Sequence, residues 1–161
     1  MVWEWFHPAV SWLGNTSLGM WLGQSVERIA WLFVFHILGL TLLLGTVLVS
    51  NLRIFGLALK RQPLSELARD LEPLTVIGLC LTLTSGFLIF TGGAENYYVG
   101  WWFRTKMILL LTALTFHFAV FRTIIRSEKT KSHPLLARLS GGTALLLWFS
   151  VGIAGRAIAF F

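Results

Sequence analysis

Residues 29–50 read IAWLFVFHILGLTLLLGTVLVS, an apolar run with no Asp, Glu, Lys or Arg and one histidine, His36. A helix needs about 20 such residues to cross the hydrocarbon core of a bilayer, so this stretch predicts a membrane span. Working outward, three more blocks have that character: 74–91 (LTVIGLCLTLTSGFLIFT), 107–125 (MILLLTALTFHFAVFRTII) and 140–160 (SGGTALLLWFSVGIAGRAIAF). The predicted fold is therefore all-α, an integral membrane four-helix bundle forming a single domain over 1–161. Composition agrees. Hydrophobic residues make up 56% of the chain and charged residues 12%, against roughly a quarter charged in a soluble domain. A water-soluble enzyme is excluded. The formal charge of +6 does not point to nucleic acid, because the 13 Lys and Arg residues are sorted to the ends of apolar blocks and form no patch. The single cysteine, Cys80, lies inside an apolar block and offers neither a disulfide nor a metal cluster.

Basic residues set the expected orientation. Arg53, Lys60, Arg61 and Arg69 lie between spans one and two, and Arg122, Arg126, Lys129, Lys131 and Arg138 between three and four. Only Arg28, Arg104, Lys106 and Arg156 fall on the other side. Basic loops stay in the cytoplasm, which predicts that both termini are outside. Trp3, Trp5, Trp12, Trp21, Trp31, Trp101 and Trp102, with Tyr97 and Tyr98, all fall at that outer boundary, where amphipathic rings prefer to sit. No Lys or Arg precedes Arg28, and Glu4 occupies the place of a basic n-region, so no cleaved signal peptide is expected.

Two segments are expected to lie along the membrane surface. Residues 12–24 (WLGNTSLGMWLGQ) are too short and Gly-rich to span and read as a short interfacial N-terminal helix. Residues 63–71 (PLSELARDL) set Leu64, Leu67, Ala68 and Leu71 on one face, opposite Glu66, Arg69 and Asp70. They predict a separate amphipathic cytoplasmic helix, ended by Pro73.

No Asp or Glu falls within the four predicted spans. Ion-coupled carriers use intramembrane carboxylates, so that class is disfavoured. The ionisable residues left inside are His36, His117 and, near the outer end of span four, Arg156. His7 and His133 fall outside the spans and read as surface residues. A buried histidine ordinarily serves as hydrogen-bonded helix glue. Two of them, on spans entering from the same side, raise a sharper reading if they lie at similar depth. His117 shares a helical stripe with Ala113, Leu110 and Lys106. Span two presents Gly78, Thr82, Ser85 and Gly86, and span four Gly141, Trp148, Gly152 and Gly155. Small residues of this kind permit close helix packing or leave room for a flat apolar guest. Two imidazoles, small residues and cations at one end suit a haem b. His36 and His117 would be its axial metal ligands, and Lys106, Arg104 and Arg156 would pair with propionates or a quinone headgroup. Zinc or copper fits less well with two histidines and no further ligand.

The run His36-Ile37-Leu38-Gly39-Leu40 with Gly45 is followed by Asn51-Leu52-Arg53 and Gly56-Leu57-Ala58. Next come Ser65 to Ala68, Ser85-Gly86, Phe103-Arg104 with Lys106, Phe116-His117, Leu136 to Leu139, Trp148 and Gly155-Arg156. On these residues the chain resembles a family of small bacterial inner-membrane proteins of unknown function. That likeness implies a four-helix inner-membrane fold and no established activity; in an inner membrane the termini that the basic residues place outside are periplasmic. More distantly, the layout is similar to the haem-containing membrane protoporphyrinogen oxidases and the copper-resistance D proteins. In the oxidases a span-one histidine is followed by an arginine, and a lysine precedes a span-three histidine by eleven residues. Those roles would carry to His36, Arg53, Lys106 and His117. The tyrosine–histidine pair after span one and the arginine-rich motif before span two are missing.

The expectation is a b-type-cytochrome-like haem protein transferring electrons near the outer face, with a quinone or a periplasmic redox partner and self-association reasonable. The rival readings are a non-redox scaffold or accessory subunit whose histidines are structural, a small metal transporter, and a porphyrinogen oxidase.

Overall fold

The computed structural model describes residues 2–126 and 134–158, all in helices and short connections. Lys129, Lys131 and His133, and residues 159–160 of the predicted fourth span, lie outside the described residues. A 3-10 turn, Val2–Phe6, leads into α1 (His7–Gly14) and α2 (Ser17–Gly23). Then follow α3 (Val26–Ile54), α4 (Leu64–Thr91), α5 (Ala94–Val99) and α6 (Trp101–Phe116). A π-helical turn at His117–Phe121 links α6 to α7 (Arg122–Arg126), and α8 runs Pro134–Ala157. Four helical stretches are long and apolar enough to cross a membrane: Val26–Ile54, Leu64–Thr91, Trp101–Arg126 and Pro134–Ala157.

Local chemistry explains the boundaries. Ser25 starts α3 by accepting a hydrogen bond from the Arg28 amide at 3.4 Å, as an N-cap does. At the other end Gly56 adopts φ +72°, and the Leu57 amide bonds back to the Leu52 carbonyl at 2.8 Å, a Schellman closure. The Arg53 guanidinium then ties the connection shut through the Gln62 carbonyl at 2.7 Å.

Two surface expectations are corrected. The N-terminal segment forms two short helices and a 3-10 turn instead of one helix. The break falls at Asn15–Thr16, where the Thr16 hydroxyl caps α2 by accepting from the Gly19 amide at 3.1 Å. A further short helix, α5, stands between spans two and three. The amphipathic stretch 63–71 is not separate either. It is the first part of α4, and Pro73 lies inside that helix. Proline removes one helical hydrogen bond, but neighbouring contacts hold the segment in line. Ala68 is buried in one core with Phe121 and Ile125, and the Glu72 carboxylate is shared by Arg122 and Arg126 of α7.

The four long helices form an antiparallel bundle with one basic end (Arg53, Arg122, Arg126) and one aromatic end. Its core contains Leu43, Val47, Leu79, Ala113, Phe121, Trp148 and Val151. The tightest seam is α3 on α4. A Cβ on Gly39 would stand 2.5 Å from Thr82 Oγ1, and one on Gly78 2.8 Å from the Leu43 nitrogen. At the aromatic end, Trp3, Val10, Ala94 and Tyr98 form a small second core beneath α1 and α5.

Candidate functional site

His36 projects from the aromatic half of α3 toward α4. Its Nδ1 lies 3.1 Å from Ser85 Oγ. Ser85 commits its hydroxyl proton to the Leu81 carbonyl at 2.6 Å, so Ser85 Oγ accepts and His36 Nδ1–H donates. For the neutral ring this leaves Nε2 as a free lone pair. The ring is seated on Gly86, where a Cβ would come within 2.9 Å of His36 Cε1.

Phe90 of α4 stacks on Phe103 of α6 with ring centroids 4.8 Å apart, a register that sets Lys106 on α6 at about the level of Gly86 and His36. Lys106 lies against Gly155 of α8, where a Cβ would stand 3.3 Å from Nζ. No carboxylate pairs with it among the described residues. The result is an ammonium and an oriented imidazole at about one level, both half-buried within the length of the bundle. Removing an ammonium from water is costly, so such a group is a functional candidate by default.

The other expected cations are elsewhere. Arg104 belongs to the aromatic-end cap: its Nε donates to the Tyr98 carbonyl at 3.3 Å, and its guanidinium lies over Trp3 and Tyr98. Arg156 is exposed in the last turn of α8. Arg53 closes a loop at the basic end.

His117 occupies a second, separate pocket. It is 6% exposed, with its ring edge-on to Phe118 and Trp148 at centroid distances of 5.2 and 6.0 Å. It lines a cavity together with Thr46, Ser50, Thr75, Glu72 and Arg122. The depths of the two histidines follow from helix register. His36 faces Ser85, whereas Thr46, ten residues further along α3, bonds Thr75 at 2.8 Å at the level of His117. Ten residues of helix rise about 15 Å. On α6, Lys106 stands at the His36 level and precedes His117 by eleven residues, about 16 Å.

The structure therefore does not bring the two histidines together. Axial ligation of one iron requires both ring nitrogens within bonding distance of it, and this arrangement does not fit one haem held by His36 and His117. Equal depth was expected because Lys106 was taken to mark the outer boundary of span three. It lies instead inside the bundle, five residues after α6 begins at Trp101.

Three of the glycines are accounted for by side chains of the chain itself, whereas Gly78 meets the α3 backbone and Gly152 faces nothing within 4 Å. His36 fills the space above Gly86, Lys106 that above Gly155, and Asn51 that above Gly141. Ser85 and Gly86 were legible in the sequence as a small-residue face, and their service to His36 was not. Glu72 was missed because it was placed outside any span. No group of three or more His, Cys, Asp or Glu side chains that could hold a metal occurs among the described residues.

Fold and site define an all-helical protein with four helices long and apolar enough to cross a membrane and two polar sites at different depths, an imidazole and an ammonium toward the aromatic end and an imidazole cavity toward the basic end. The chain belongs to a family of unknown function (DUF6644), whose model matches residues 5–161. No curated protein and no solved structure matches it.

Proposed function

We propose that the protein binds the headgroup of a lipid-soluble quinone or quinol between His36 and Lys106, as a component of quinone-linked electron transfer at the periplasmic face of a bacterial inner membrane. One observation carries this reading: Lys106 stands in the apolar bundle with no carboxylate partner among the described residues, at the level of an imidazole whose Nδ1 is held by Ser85. A quinol hydroxyl donates to Nε2 while the ammonium donates to a ring oxygen, so one headgroup satisfies both. Both side chains are half-buried, which suits a ligand arriving from the bilayer. Supporting the orientation, Arg53, Arg122 and Arg126 gather at one end and every tryptophan but Trp148 falls toward the other, with basic segments retained in the cytoplasm.

The test is a lipid extract of the purified full chain, assayed for quinone by chromatography. Wild type should retain quinone, and Lys106→Gln should lose most of it while remaining folded by circular dichroism. Equal quinone in both proteins would overturn the assignment.

A second reading is favoured by the Ser85 contact, since second-shell hydrogen bonds of this kind orient metal-ligating histidines. In that case haem b is held by His36 alone, with Lys106 as a propionate partner. A Soret band abolished by His36→Ala and unchanged by His117→Ala would select haem over quinone.

A further inference from the structure

The cavity at His117 is independent of the His36–Lys106 pair and has a chemistry of its own. It measures about 30 Å³ and lies between α3, α4 and the π turn. Three polar atoms on its lining residues have no hydrogen-bond partner, His117 Nδ1, Arg122 Nε and Glu72 Oε2; the last is ion-paired with Arg126, which leaves two. Burying a polar group unpaired costs roughly 1–3 kcal/mol, so two around one small cavity call for an occupant.

Arg122 Nε–H is an obligate donor. Its Nη2 is already engaged with Glu72, so the Nε–H has to be met from the cavity. The hydroxyls of Ser50 and Thr75 spend their protons on the Thr46 carbonyl and on Thr46 Oγ1, leaving lone pairs to accept. An occupant that accepts from Arg122 and donates both to a hydroxyl and to a ring nitrogen is water. A water needs roughly 10–15 Å³ of this kind of space and about three partners, so the cavity takes one or two.

The rim is set by the Glu72–Arg122–Arg126 cluster, whose side chains are 21–41% exposed. On its inner side Leu43, Ala113 and Trp148, each 0–2% exposed, pack in one core with the lining residues Val47, Ala68, Phe121 and Ile125. The helix also widens to a π turn at His117–Phe121, a distortion frequent at functional sites.

We propose that this cavity is a one-sided aqueous inlet, in which one or two ordered waters join Arg122 Nε–H to His117 Nδ1 and connect that imidazole to solvent at the basic end only. His117 then carries its ring proton on Nε2 and accepts at Nδ1 from water.

The test uses the full chain in micelles with ¹⁵N-labelled histidine, His117→Gln assigning the His117 ring signals among the four histidines. Magnetisation transfer from water should reach the His117 ring. Arg122→Lys keeps the positive charge beside Glu72 but removes the Nε–H, and should cut that transfer at least twofold. Thr75→Val, which removes an acceptor and leaves the ion pairs in place, should lower it as well. Transfer absent at His117 while present at exposed His7 would overturn the inlet, as would transfer unchanged in both variants. A His117 signal that shifts when chloride is exchanged for gluconate would overturn it in favour of a small anion.

Discussion

Gly39→Ala tests the seam on which the His36 site is built. The added Cβ would meet Thr82 Oγ1 at 2.5 Å, the Thr82 nitrogen at 2.8 Å and the Gly78 oxygen at 2.9 Å, where ordinary contact begins near 3.4 Å. Two of those atoms are backbone, so no rotamer change relieves them. The helices have to part by roughly 0.5–0.9 Å, and overpacking of this kind costs about 1–3 kcal/mol. Gly45→Ala on the same helix is the control, because a Cβ there meets nothing within 4 Å. Both substitutions gain the same roughly 0.5–1 kcal/mol of helix preference of Ala over Gly, so their difference isolates the steric term. Unfolding in mixed micelles titrated with sodium dodecyl sulfate, followed by circular dichroism, should place Gly39→Ala about 1–3 kcal/mol below Gly45→Ala. Equal midpoints would show that α3 and α4 do not approach as described.

Other consequences are narrower. Gly86→Ala puts a Cβ 2.9 Å from His36 Cε1 and should displace the ring; the His36 ¹⁵N signals are expected to shift while those of His117 stay in place. Ser85→Ala removes the oxygen that receives Nδ1–H, a loss of about 1 kcal/mol, and the same spectra should then show a mixture of His36 tautomers. Glu72→Gln leaves Arg122 and Arg126 without their shared carboxylate; with both arginines partly exposed the loss should be about 1 kcal/mol in the same unfolding titration. Burial raises the Tyr97 hydroxyl above its ordinary value of 10.0. The folded chain therefore holds that proton more tightly than the unfolded one, and the stabilisation, complete below pH 10, is lost as pH climbs through the raised value. Absorbance at 295 nm should show a late phenolate step that Tyr97→Phe removes.

The four spans were legible because apolar runs long enough to cross a bilayer are separated by charged or Pro-containing segments. Depth was not legible. It depends on where each helix starts relative to its neighbours, and charged residues are poor markers of that boundary when one of them, Lys106, is itself internal. Pro73 misled for a related reason. Its local helix-breaking tendency was outweighed by contacts to residues some fifty positions away, Arg122 and Arg126 on Glu72, which no window around residue 73 contains. The glycines of spans two and four were rightly singled out as space-makers. At Gly86, Gly141 and Gly155 the space is occupied by polar side chains of the chain itself, and that pairing is a property of helix register that sequence spacing within one span does not carry. Of the expected site residues, His36 and Lys106 fall at about one level, whereas His117, Arg104 and Arg156 are placed elsewhere.

Equilibrium binding of a short-chain ubiquinone to wild type, Lys106→Gln and His117→Gln in micelles tests the His36–Lys106 assignment most directly. A charge-assisted hydrogen bond contributes about 1.5–3 kcal/mol, roughly 10–100-fold in affinity. Lys106→Gln should weaken binding by that factor, and His117→Gln, with its side chain some 15 Å deeper, should leave it unchanged. Loss of affinity in His117→Gln equal to that in Lys106→Gln, or no loss in either, would contradict two separate sites with the ligand at the first.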